Sequence, residues 1–341
     1  MSDTIPADFV FPSASRAAAI DKAVRGSFSK SVTWCLDQIG VDSRYVEHLG
    51  ERAARPCDFG CYYDILVALN ASNCPRTSVA HAAAKRFLSS PSIHGSKTDE
   101  CLPRPSGLLI TTLREPWYDH GEVDCLIRWL DLESENAMSL VSLNTPELNE
   151  ATLKIQTALS SMEILLPEFL AEMLAITSEI IFAKPSTDQK FTFGGASSFS
   201  LWGGIALNAN AHANWWQYLP RLVHEYSHNL LFGIAREEPL LLNDPEERYP
   251  SPLRHESRPL DGIFHAAFVS AREALAMREM LVGLRVNSGY PHYAFLLEYC
   301  THTMINSEHS FKDCLSVIRH HGKLTELGRA ILHDAERAIC G

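Results

Sequence analysis

Ser200-Leu-Trp-Gly-Gly-Ile-Ala-Leu207, followed by Trp215-Trp-Gln-Tyr-Leu-Pro-Arg-Leu-Val-His-Glu-Tyr-Ser-His-Asn-Leu-Leu-Phe-Gly-Ile-Ala235, sets a short glycine-turned apolar run directly before a helical one. The first run reads as a strand, and residues 219–235 read as a helix carrying His224-Glu225-Tyr226-Ser227-His228. Just upstream, Glu179-Ile-Ile-Phe-Ala183 is β-branched enough for a strand, and Phe191-Thr-Phe-Gly-Gly195 for another with a glycine turn. A small sheet is therefore expected immediately before the helix that bears the histidines.

Away from this stretch the pattern is helical. Helix-type spacing predicts helices over 260–284, 292–306 and 324–338 on one side, and over 17–28, 32–49, 62–69, 79–88, 148–165 and 169–175 on the other. Residues 117–130 fit either type. A Pro/Ser/Gly-rich stretch, 89–107, reads as a linker or long loop, and 236–259, rich in Pro, Glu, Asp and Arg, as a second loop. No internal repeat or heptad run is present. The expected class is α-dominated α+β: a helical N-terminal region over 1–145, then a catalytic part over 146–341. That second part would hold the short sheet, the metal-binding helix and a C-terminal helical bundle.

The bulk properties are those of an ordinary globular protein. Of 341 residues, 46% are hydrophobic and 21% charged, enough to bury a sizeable core. The 41 acidic residues outnumber 30 basic ones, for a net charge of −11, which argues against nucleic acid as a partner. The most apolar helical window, 161–183, is interrupted by Glu163, Pro167, Glu168, Glu172 and Glu179, and so does not read as a membrane span. The first residues show no basic segment followed by an apolar run, and the nine cysteines are odd in number and scattered. Both features lead to the expectation of a reduced, cytoplasmic protein. Cys57-Asp-Phe-Gly-Cys61 is the one close pair, read as buried thiols in preference to a zinc site.

The chemistry lies in the five-residue motif. Histidines four apart share a helix face, so His224 and His228 can close on one metal ion, with Glu225 in reach of a metal-bound water or the outer shell. The ordinary alternative is a pair of surface histidines. The extended zinc-protease motif would need Gly at 231 and His at 234, and the chain has Leu231 and Ile234. A third ligand is therefore expected from the helix after the loop: His265 first, with Glu273 two turns on, and His302, His309 and the helix of Glu298 as weaker candidates. Two chemistries remain open at this point. A zinc hydrolase would use Glu225 as general base, and a ligand set of histidines favours zinc. A non-heme iron oxygenase would need a carboxylate co-substrate, and Arg248, Arg254 and Arg258 in the loop offer guanidiniums suited to one.

The motif, together with Leu240-Leu-Leu-Asn-Asp-Pro-Glu-Glu-Arg-Tyr-Pro-Ser-Pro-Leu-Arg254 and Arg258-Pro-Leu-Asp-Gly-Ile-Phe-His-Ala-Ala-Phe-Val-Ser-Ala-Arg272, resembles the HExxH-type 2-oxoglutarate-dependent peptide β-hydroxylases. These accompany bacterial pathways that modify ribosomally made peptides. The resemblance covers residues 200–285. It implies iron(II) on His224, His228 and His265, and 2-oxoglutarate held by an arginine, Arg254 before Arg258. It also implies dioxygen as oxidant and hydroxylation of a side-chain β-carbon in a precursor peptide. Glu225 would then hold or polarise a ligand. The N-terminal 140 residues are a candidate for recognising the precursor. A zinc-dependent metallopeptidase with Glu225 as base is the alternative.

Overall fold

A computed structural model of the chain describes residues 8–42, 54–70, 76–89, 107–130, 139–186 and 193–340. Among them lie ten helices and five short strands, the α-dominated α+β class expected from the sequence. The chain forms two compact units, each drawn from non-contiguous stretches.

Ala18–Leu153 and Leu174–Ala213 form the unit that holds the sheet. Strands β1 (Leu109–Thr112), β2 (Leu140–Val141), β3 (Glu179–Pro185), β4 (Gly195–Ala196) and β5 (Gly204–Asn208) are ordered β1-β3-β5-β4. β1 and β5 run parallel to β3, while β4 is antiparallel to β5 and β2 to the end of β3. All of β5 and the first five residues of β3 are buried, the expected state of parallel strands covered on both faces. The buried charge on β3, Glu179, is paired with Arg55 at 2.7 Å and accepts from the Tyr118 hydroxyl.

Helices α1 (Ala14–Gln38), α2 (Pro56–Asn70), α3 (Arg76–Ser89) and α4 (His120–Leu130) complete the N-terminal elements. The break expected after residue 28 is absent, because Ile20, Val24, Phe28, Val32 and Leu36 carry one buried stripe through Gly26. The helix ends at Gln38, short of the expected 49; residues 43–49 lie outside the described set, as do 90–106 of the expected linker and 191–192 of the expected strand. Cys57 and Cys61 are buried thiols, and burial pushes the Cys57 thiol well above its ordinary range.

The other unit comprises Met1–Ala17, Lys154–Met173 and Asn214–Gly341. Here α5 (Thr145–Leu165) ends and α6 (Pro167–Ile176) begins, followed by α7 (Tyr218–Ile234), α8 (Leu260–Val286), α9 (Tyr293–His321) and α10 (Glu326–Cys340). Of the 27 residues of α8, 17 are buried and apolar side chains point all round it, which makes it the central helix with α7, α9 and α10 packed on it. The intervening loop is tied down by two antiparallel bridges, Leu241 to Leu324 and Tyr249 to Arg258. No helix among the described residues is long and apolar enough to cross a membrane.

Candidate metal centre

Two features start α7. Asn214 and Gln217 form a reciprocal capping box around the 3-10 turn Trp215–Gln217, and Pro220 sits in the first turn, where its missing N–H costs nothing. At about 100° per residue, Arg221, His224, Glu225 and His228 fall within an arc of about 100° on one side, and Tyr226 and Ser227 on the other. That division organises the site.

On the first side, the Nε2 atoms of His224 and His228 are 3.2 Å apart. Two nitrogens that share an ion at about 2.1 Å are separated by about 3.0–3.4 Å, so the pair is spaced as two ligands would be. His224 is fixed from behind by α8, its Nδ1 lying 2.8 Å from Glu273 Oε1. A carboxylate only accepts, so Nδ1 carries the hydrogen of this contact, and Nε2 is the ring nitrogen turned towards His228. Ser307 of α9 donates to the other oxygen of Glu273 at 2.9 Å. Burial alone would raise the Glu273 carboxyl, but His224, Arg221 and the Ser307 hydroxyl outweigh it and hold the group below its usual range. A carboxylate behind a histidine in this way is how metal sites set the tautomer and orientation of a ligand.

His228 is held well below its ordinary pKa, first by burial and then by His224, His265, Arg258 and Arg221, so it is a neutral imidazole. A neutral ring is what metal ligation requires. His265, buried on the second turn of α8, approaches His228 from the opposite edge, Nδ1 to Nδ1 at 3.2 Å, and its Nε2 is 3.9 Å from Asp261. The structure thus brings all three expected histidines together, with His224 and His228 forming the ligand-spaced pair and His265 against the far edge of His228. Among the described residues, no group of three His, Cys, Asp or Glu side chains is arranged to hold an ion as it stands. His302 and His309 lie further along α9, His302 exposed and beside Asn306 at 3.1 Å.

The two expected arginines separate. Arg254 is exposed in the loop. Arg258 is pinned by its backbone to Tyr249 in both directions, at 2.8 and 2.9 Å, and its guanidinium lies against Gly262 in the first turn of α8, 3.2 Å from where a Cβ would stand. From there its charge is felt at His228. Glu225 is buried and points along the helix to Arg221, with 3.5 Å between Oε1 and Nη1.

The second side of α7 is a closed polar network. Arg272 of α8, completely buried, donates to the Ser227 hydroxyl at 2.8 Å, to the Val10 carbonyl at 2.8 Å, to the Tyr226 hydroxyl at 2.7 Å and to Glu172. Glu172 also accepts from Arg16 at 2.8 Å, the Ser13 N–H at 2.9 Å and the Tyr226 hydroxyl at 3.1 Å. The rings of Phe169, Tyr226 and Phe268 lie 5.3–5.7 Å from the Arg272 guanidinium carbon. The two middle residues of the motif therefore lock α7 onto α8, and this fixes the distance between the histidines and Glu273.

Sequence reasoning does not single out Arg221, Ser307, Glu172 or Arg272 for these positions. Arg221 had a signal: it is one turn before His224 and Glu225, on their face. The pairing of Glu172 with Arg272 spans 100 residues and leaves no local trace. Comparison with models of known families gives no match to this chain, and comparison with curated proteins gives none either.

Proposed function

We propose that the chain is an iron(II)- and 2-oxoglutarate-dependent oxygenase that hydroxylates a side-chain β-carbon in a ribosomally synthesised precursor peptide, and that it works in the bacterial cytoplasm. The observation that carries the reading is the His224–His228 pair, with Nε2 atoms 3.2 Å apart and His224 oriented by Glu273. The resemblance of residues 200–285 to the HExxH-type peptide β-hydroxylases supplies the choice of reaction.

In this reading His224 and His228 hold the ion, with His265 as the third ligand once its ring turns towards the pair. When bound, iron(II) with dioxygen supplies the oxidising power to replace a C–H hydrogen by hydroxyl, while 2-oxoglutarate becomes succinate and carbon dioxide. The chain's own residues prepare the site. Glu273 accepts the His224 Nδ1 hydrogen and keeps its Nε2 free. Ser307 keeps Glu273 in place. Arg258, nearer His228 than the solvent-facing Arg254, takes the distal carboxylate of 2-oxoglutarate. Glu225 orients a ligand on the open side, and the N-terminal region is the candidate for binding the peptide.

A zinc metallopeptidase is the rival, and its supporting observation is that Glu225 shares the histidines' face. The pairing of Glu225 with Arg221 weighs against a free general base. The deciding experiment adds iron(II) and 2-oxoglutarate without oxygen and looks for a weak visible charge-transfer band. The oxygenase gives the band and His228→Ala abolishes it. Mass spectrometry of a co-expressed neighbouring peptide should then show a gain of one oxygen. Tightly bound zinc with peptide cleavage, lost in Glu225→Gln while the metal stays, would establish the rival.

A further inference from the structure

Arg221 stands out on the open side of α7. Its side chain is 32% exposed, yet its Nε is buried and, among the described residues, has no hydrogen-bond acceptor. Its ion partner Glu225 is 3.5 Å away, beyond ordinary hydrogen-bond length. A guanidinium offers five N–H donors in a planar fork; Arg221 shares an orphaned Nε with Arg16, Arg86 and Arg114, and differs from them in lying on the face of the histidine pair. Arg221 also lies one turn before His224 on the same face, and its charge reaches His228, Glu273 and Tyr299. Arg272 is the contrast, with every edge of its guanidinium taken by Glu172, Tyr226, Ser227 and Val10.

Charge points the same way. Around the histidine pair, the guanidiniums of Arg221 and Arg258 are balanced by the carboxylates of Glu225 and Glu273, with Asp261 largely in solvent. A divalent ion would leave the site with two uncompensated positive charges. A small dicarboxylate restores neutrality, and it brings paired oxygens that match a guanidinium fork.

We infer that Arg221 binds a carboxylate of the 2-oxo acid co-substrate beside the His224–His228 pair, making it a second anion-binding arginine at the opposite end of the ligand from Arg258. The inference rests on the oxygenase reading.

The test is an anaerobic titration of the iron(II)-loaded full chain with 2-oxoglutarate, followed by the visible band, with bound metal measured separately by elemental analysis. Arg221→Gln should weaken 2-oxoglutarate at least tenfold while the chain keeps one metal per molecule and the parental circular dichroism spectrum. Arg221→Lys, which keeps the charge and loses the fork, should fall between. A Gln variant that binds 2-oxoglutarate as tightly as the parent overturns the inference. Should the Gln variant not fold, Arg221→Lys decides: parental affinity in it overturns the inference, and a loss of several-fold with metal retained supports it. A parent chain that binds no iron(II) sinks the oxygenase reading itself. A parent that binds both ligands but is indifferent at position 221 sinks only the role of Arg221.

Discussion

The two sides of α7 are both lined with buried polar atoms, but they are arranged differently. Behind the helix, Tyr226 and Ser227 join Arg272 and Glu172 in a network in which each nitrogen of the Arg272 guanidinium meets an acceptor. In front, two imidazoles turn nitrogen towards nitrogen, and Arg221 keeps a buried N–H with no acceptor among the described residues. Buried polar groups are ordinarily paired, so the closed side reads as structure and the open side as a place held for something else. His224 belongs to both patterns: its Nδ1 is paired with Glu273 and its Nε2 faces the Nε2 of His228 at 3.2 Å.

The comparison can be broken most forcefully from behind. Glu172→Ala leaves Arg272 as an uncompensated buried charge and should cost about 3–5 kcal/mol in a urea melt. The same carboxyl carries a pH signature. Burial would raise it, but Arg272 and Arg16 hold it below its usual range. Its contribution is then complete above the unfolded carboxyl value of about 4.3 and is lost as pH falls through the lower folded value. Stability should decline in acid more steeply in the parent than in Glu172→Gln.

From the front, the next effect is on metal affinity. Glu273→Gln keeps the shape of the His224 contact but weakens the acceptor, and should lower affinity about 10–100-fold while the fold persists. Equal affinity in parent and variant would mean that Glu273 merely packs there. The smallest effect sharpens the division itself. Tyr226→Phe removes one hydroxyl from a network in which Arg272 still meets Glu172, and should cost about 1 kcal/mol of stability with metal affinity unchanged. A large change in metal affinity would show that the two sides are not separable.

Much of this arrangement is legible in the sequence, for reasons that particular residues make plain. The expected helices 219–235 and 260–284 correspond to Tyr218–Ile234 and Leu260–Val286, because apolar periodicity and a Pro-rich loop mark their limits. The histidine spacing shows directly that the two rings share a face. Other features depend on contacts that no local pattern encodes. Ser29-Lys-Ser31 looks like a helix break, but Phe28 and Val32 on either side are both buried and carry one apolar stripe through it. The polar run after Asn306 looks like the end of α9, yet Ser307 points inward to Glu273, and Phe311, Cys314 and Ile318 continue the buried face to His321. β1 lies beside Pro-rich sequence and is a strand only because β3 pairs with it from 70 residues away. Arg258 and Arg254 look alike in sequence; the backbone bridge to Tyr249 is what sets Arg258 near His228.

The central claim is that the His224–His228 pair is a ligand site, and metal stoichiometry tests it most directly. Purified full-length chain, stripped with a chelator and dialysed against iron(II) without oxygen, should take up one ion per molecule. His224→Ala and His228→Ala should each lose that ion while retaining the parental circular dichroism spectrum. A parent chain that takes up no ion, or variants that bind it as the parent does, would contradict the account.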